Sequence, residues 1–213
     1  MRALFTSMVV CIALAATADI STAAPQLNVD YRLIAQQPVP AGSKIEVIDF
    51  FWYGCPHCFR LQPAFEAWRK RMPADVTLRH IPVILHDNWA PHAQIFYTLV
   101  ALGELERLHQ EVYHGYHVEN LYMSKPDVME TWAVDHGIKR EKWLAAYGST
   151  EVAQQVVQAK ALTAQYEIQG TPSLVVDGRY LTSGSMVNEE ADLIPILDQL
   201  IRLARAQRTK AKH

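Results

Sequence analysis

The sequence predicts an α/β fold in which two β-rich stretches are separated by a block of helices. Three observations carry that reading. Lys44 to Trp52 is a nearly continuous apolar run, rich in Val, Ile and Phe. Such a run suits a strand covered on both faces. From Trp89 to about Ala164 strand signals are few and helix stops recur. Strand signals return at Ser173 to Leu181, around the pair Asp177-Gly178. One α/β domain interrupted by a helical insertion accounts for all three.

With 213 residues, half of them hydrophobic, the chain can bury a sizeable core without covalent staples. A net charge of -2 gives no reason to expect nucleic acid as a partner. The first residues read as an export signal. Arg2 is a basic start, Ala3 to Ala18 is apolar, and Ser21-Thr22-Ala23 offers the small side chains of a cleavage site after Ala23. The apolar run is short for a membrane span, which needs about 20 residues. The expected division is therefore 1–23 as signal peptide, 24–85 and 165–213 as one discontinuous α/β domain, and 86–164 as a helical insertion.

Tyr31 to Ala35 can form a first short strand, with Pro38 and Pro40 in the turn after it. The strand over 44–52 contains one acid, Asp49. A carboxylate in a buried strand is costly unless it is paired, hydrogen-bonded or protonated. Asp49 either points to solvent or takes part in the chemistry six residues downstream, and the second reading is favoured. Phe65, Trp68 and Met72 recur at helical spacing in a helix that begins near Phe59, with Pro63 expected to kink it. Val76 to Leu85 is the next strand, and Pro82 argues for an edge position or a bulge.

Within the block, residues 89–103 read as a helix ending at Gly103, and 104–117 as another. A third follows Ser124-Lys125-Pro126-Asp127 and stops at Gly137; Lys139 to Tyr147 is short. Ser149 can cap the last, which runs to about Tyr166. Asp177-Gly178 between β-prone runs signals a tight hairpin. Glu189 to about Ala206 is a final amphipathic helix, and Arg205, Arg208, Lys210 and Lys212 read as a solvated tail. His109, His114 and His117 are read as partly exposed helix residues, since no Cys or Glu completes a familiar metal pattern around them.

The chemistry centres on Cys55-Pro56-His57-Cys58, at the point where the aromatic strand turns into a helix. If the signal is removed, Cys11 leaves with it and this pair is the only thiol chemistry of the mature chain. Two cysteines cannot complete a four-cysteine zinc site. A helix N-terminus favours negative charge, and thiolate is the reactive form of cysteine. A redox-active dithiol is expected. Cys55, first in the pair, is expected to be the exposed nucleophile, and Cys58, about one turn later, the shielded resolving thiol. Pro56 costs no hydrogen bond in the first turn. His57 can approach the Cys55 sulfur and stabilise its thiolate.

The order of strand, Cys-Pro-His-Cys at a helix start, helical insert, and Gly170-Thr171-Pro172 before a hairpin and a last helix resembles the DsbA-type thiol:disulfide oxidoreductases of the bacterial periplasm. The likeness runs from about Tyr31 to the final helix. It implies a thioredoxin fold with an inserted all-helical domain, and a dithiol oxidase that needs no cofactor or metal. It also implies unfolded exported polypeptides with free thiols as substrates, and reoxidation by a quinone-linked membrane partner of the DsbB type. Pro172 matches the family's cis-proline beside the cysteine pair. Thr171, where some members carry valine, would expose backbone groups to an extended substrate chain. Asp49 matches a buried family acid, usually glutamate, that assists proton transfer for the resolving thiol. The chain is expected to act as a monomer. The rival readings are a reductase or isomerase, a chaperone or binding module that uses the fold without turnover, and a two-cysteine metal carrier.

Overall fold

The computed structural model describes residues 24–210 except 40, 41 and 43. The expected signal peptide, Pro40 and Lys212 lie outside the described residues.

Strand β1 (Arg32–Leu33) is followed by β2 (Ile45–Phe51), helix α1 (Pro56–Lys70) and β3 (Val76–Pro82). Five helices come next: α2 (Ala90–Leu102), α3 (Leu105–His117), α4 (Pro126–Asp135), α5 (Arg140–Tyr147) and α6 (Thr150–Gln165). The chain then returns through β4 (Ser173–Val176) and β5 (Tyr180–Ser183) to α7 (Leu193–Lys210). The strands form one mixed sheet in the order β1-β5-β4-β2-β3, with β2 parallel to β3 and the other pairs antiparallel.

All seven residues of β2 are buried, as its unbroken apolarity predicts. Successive strand side chains point to opposite faces. Ile45 and Val47 pack with Leu61, Phe65 and Trp68 of α1 and with Leu197 and Leu200 of α7. Ile48 and Phe50 pack on the other face, with Ala93 of α2 and Ala159 of α6. By that alternation Asp49 lies on the α1 face, 2% exposed. Strand β3 is the sheet edge opposite β1, so Pro82 at its end removes no ladder bond that a further strand would need.

Helix α1 continues through Pro63 to Lys70. The Ser149 hydroxyl caps α6 by accepting from Val152 N at 3.2 Å. At the hairpin, Asp177 and Gly178 have φ of 54° and 63°. Positive φ at both central residues is what a two-residue turn matched to strand twist requires.

Two expectations need correcting. The first strand shrinks to Arg32–Leu33, because only those residues meet Leu181 and Tyr180 of β5. The basic end of the chain is not a loose tail. Helix α7 runs to Lys210, and Arg205 forks onto Asp75 with two 2.7 Å hydrogen bonds. Arg208 pairs with the Asp177 carboxylate at the hairpin and donates to the Lys44 carbonyl at 3.0 Å. These partners are acids far away in sequence, so helix periodicity alone does not show them.

Candidate active site

The cysteine pair lies where the sheet-and-helix domain meets the helical block. Cys55 and Cys58 share one apolar cluster with Phe51 at the end of β2, Tyr53 just beyond it, Tyr113 of α3 and Trp132 of α4. Trp52 stacks flat on Trp89, just before α2, with centroids 3.9 Å apart and planes at 1°. Its ring lies over Gly54, where an added Cβ would come within 2.3 Å of the indole carbons. Gly54→Ala is therefore expected to destabilise the fold by about 1–3 kcal/mol through overpacking. Thermal unfolding with tryptophan fluorescence checks this; an unchanged midpoint would show that the indole can move aside freely.

Cys55 is the N-cap of α1, with Pro56 in the first turn. Its Sγ accepts from the Cys58 backbone N–H at 3.4 Å. Both cysteines are free, and they are 5% and 1% exposed. Cys55 is thus more enclosed than the sequence suggests: its sulfur folds back over the first turn and meets the Thr171 carbonyl oxygen at 3.3 Å. The two thiols are pushed in opposite directions. Cys55 falls from 9.0 to about 5, first because the Cys58 side chain hydrogen-bonds to its sulfur. Burial opposes this, while the Thr171 side chain and the backbone N–H groups of Cys58 and His57 add to it. Cys58 is raised well above 9.0, first by burial, then by its bond to Cys55 and by the charges of Cys55 and Asp49. The Thr171 carbonyl can only accept from a protonated Cys55, whereas the Cys58 backbone N–H serves the thiolate; with Cys55 lowered and Cys58 raised, Cys55 is the thiol that ionises first.

The Thr171–Pro172 peptide is cis. Thr171 and Pro172 line a cleft of about 350 Å³ with Arg32, Gly170, Ser183 and Met186. Asp49 is buried beside His80, whose Nδ1 is 2.9 Å from Asp49 Oδ2. The parallel register sets the two directly opposite each other. Behind them, His109 Nδ1 is 2.8 Å from the Tyr53 hydroxyl. His109 is 7% exposed, not partly exposed as its helical spacing suggested, and burial holds it well below the usual histidine range. His117 Nε2 meets the Tyr53 carbonyl at 2.8 Å. No group of three or more His, Cys, Asp or Glu side chains able to hold a metal occurs among the described residues.

The His57 ring is placed differently from the sequence expectation. Its Nδ1 lies 2.6 Å from Glu190 Oε1 and 2.8 Å from Arg60 Nη2. Only its backbone N–H contributes to the lowering at Cys55. Sequence reasoning missed His80, Arg60 and Glu190. His80 could have been found by aligning the two parallel strands in register. Glu190 follows a loop after β5, and no local pattern points from it to the cysteines.

The profile of the DSBA-like thioredoxin domain family matches residues 46–194. The chain belongs to that family. It is 34% identical over 206 residues to the thiol:disulfide interchange protein DsbA of Burkholderia cepacia, covering 95% of this chain and 97% of that one. It is 32% identical to the DsbA of Pseudomonas aeruginosa, covering 92% of each. The crystal structure of Pseudomonas aeruginosa DsbA superposes with a TM-score of 0.81 at 31% identity, over 86% of this chain and 96% of that one. The mixed sheet with its helices is accordingly a thioredoxin-like DsbA fold, and this DsbA-like chain is a thiol:disulfide oxidoreductase.

Proposed function

We propose that the chain is a periplasmic dithiol oxidase, exported by its N-terminal leader, that donates a Cys55–Cys58 disulfide to newly exported proteins. The observation that carries this reading is the placement of the two thiols: Cys55 at the N-cap of α1 with its Sγ accepting from the Cys58 N–H, which goes with a lowering to about 5, and Cys58 buried behind it and raised. The stabilised thiolate exists only in the reduced protein, while the disulfide has no charge to stabilise. The oxidised protein is then the less favoured form and passes its disulfide on.

In the forward step a substrate thiolate attacks Cys55 Sγ. The Cys55–Cys58 bond breaks, and Cys58 leaves as a thiolate that takes up a proton. A second substrate thiolate attacks the substrate sulfur of the mixed disulfide, forming the substrate disulfide and releasing the Cys55 thiolate. Thr171 and Pro172 flank the cysteines beside a cleft that suits an extended substrate chain. Pro56 starts α1 without a backbone N–H to satisfy. The reduced dithiol is returned to the disulfide by a quinone-linked membrane partner of the DsbB type, and the protein works as a monomer with no bound cofactor.

Reoxidation reverses the roles: Cys58 must lose its proton to attack Cys55 in the mixed disulfide with the oxidant. Asp49, buried and tied to His80, is assigned as the acceptor of that proton. Asp49→Asn is expected to slow release from mixed disulfides by up to about 100-fold, at the lower end of general-base effects. Trapping the glutathione mixed disulfide and following its decay by mass spectrometry tests this. Decay at the wild-type rate would remove Asp49 from the proton path.

The overall reading is tested by the potential of the Cys55–Cys58 couple against glutathione. An oxidase is reduced more readily than glutathione disulfide. A value near thioredoxin's, about −270 mV, would make the chain a reductase.

A further inference from the structure

One carboxylate at the N-terminal turns of α1 takes no part in the steps above. Glu190 lies in the short 3-10 turn Glu190–Asp192 that leads into α7, and its side chain is only 14% exposed. Its Oε1 accepts from Arg60 Nη2 at 2.7 Å and from Arg60 Nε at 3.2 Å. The same oxygen lies 2.6 Å from His57 Nδ1, which Arg60 Nη2 also approaches to 2.8 Å. A neutral Nδ1 can accept from Arg60 but then faces a carboxylate lone pair. A protonated Nδ1 donates to Glu190 but can accept nothing. The carboxylate is therefore the partner common to both basic side chains. Arg60 first, and then His57, hold Glu190 down at about 2 against the effect of burial, so it is ionised at any working pH.

These two basic groups are the ones a Cys55 thiolate would otherwise recruit. His57 is in the first turn of α1, and Arg60 feels the charge on Cys55. Yet both side chains turn to Glu190 Oε1, and among the described residues neither the imidazole nor the guanidinium makes a hydrogen bond to the Cys55 sulfur. Glu189, whose charge also reaches Arg60, is the other nearby acid, and Asp192 is held in a capping box with it.

We propose that Glu190 is a positioning residue that competes with the Cys55 thiolate for His57 and Arg60, and so holds the couple less oxidising than its active-site turn alone would make it. In the disulfide form there is no thiolate, and Glu190 keeps both partners uncontested. In the dithiol form it withholds them from the new charge. That disfavours the reduced state, so neutralising Glu190 should favour it.

Glu190→Gln keeps the side-chain shape and an acceptor oxygen but removes the charge. In the full-length protein, the Cys55 thiolate absorbance of Glu190→Gln is expected to titrate at lower pH than in wild type. The equilibrium with glutathione should move three- to tenfold toward protein dithiol; tenfold corresponds to about 30 mV. Introducing Glu190→Gln into a His57→Gln, Arg60→Gln background should give a smaller shift. A purely structural role would lower the thermal midpoint of both redox forms equally and leave the glutathione constant where it is. That result, a shift of the opposite sign, or an equal shift in the double-variant background would overturn the inference. The inference rests on Cys55 being the reacting thiol. If wild-type Cys55 shows no thiolate below neutral pH, that underlying reading fails. A normal wild-type titration with an unmoved Glu190→Gln defeats only the role of Glu190.

Discussion

Cys55→Ser is expected to reduce oxidation of reduced, unfolded polypeptides to the uncatalysed background. The reaction needs a sulfur at the α1 N-cap for the substrate thiolate to attack. A serine oxygen there can still accept the Cys58 N–H but cannot enter a disulfide. Cys58→Ser should behave differently. Cys55 remains a thiolate when reduced, so it still attacks added disulfides such as oxidised glutathione and forms mixed disulfides with release of one thiol, but no neighbouring thiol resolves them. The mixed species should accumulate and be visible by mass under non-reducing conditions. Any chaperone-like protection of unfolded chains should survive both changes. Oxidation that persists in Cys55→Ser would favour a module that binds without turnover, and would move the chemistry away from the α1 N-terminus.

The second large effect is a pH dependence that follows from the same sulfur. Thiolate absorbance of the reduced protein should rise with a midpoint near 5, and alkylation of Cys55 should gain little above about pH 6. The consequence for stability has a definite sign. The folded value lies below the ordinary one, so the stabilisation is fully present above the ordinary value of 9.0 and is lost as pH falls through about 5. Between those limits the reduced form should gain about 1.4 kcal/mol per pH unit relative to the oxidised form. At pH 7 that amounts to about 3 kcal/mol, or an oxidising bias of about 60 mV. Cys58, displaced upward, contributes nothing at pH 7, because it is protonated both folded and unfolded. Urea unfolding of the two redox forms from pH 5 to pH 8 measures the slope. A difference that stays flat across that range would show that Cys55 is not the group that sets the couple.

The magnitude also separates possible causes. A helix N-terminus contributes about 0.3–1 kcal/mol, or about 2 when partly buried. The larger bias therefore needs donors directed at the sulfur as well, among them the Cys58 backbone N–H at 3.4 Å.

Much of the fold was legible because it depends on local periodicity. The apolar run of β2, the Ser149 cap and the Asp177-Gly178 turn each announce themselves within a few residues. The cysteine pair was legible for the same reason, since a strand end, a proline and a helix start are contiguous. What stayed hidden is set by long-range register and by loops. Asp49 could be flagged as an uncomfortable acid, but its partner His80 appears only when β2 and β3 are laid side by side. His109 read as partly exposed because helix spacing does not say which face the Tyr53 hydroxyl approaches. His57 was expected at the sulfur. An acid from a loop beyond the helical block has its ring instead.

The register of β2 also bears on how the molecule is assembled. Phe50 pairs with Ile81 on one side and with Ser173 on the other, so the second pairing closes about four times more chain. Two doublings of a flexible loop add about 1.2 kcal/mol of closure entropy. Because β4 arrives after the whole helical block, a chain emerging in the N-to-C direction holds its cysteines on a half-built sheet until nearly everything has been synthesised. Packing of α2 against α6 draws the two ends of that block together and shortens the effective loop. The helices thus act as a clasp on the nascent chain: their own folding brings β4 within reach of β2 and closes the groove around the thiols.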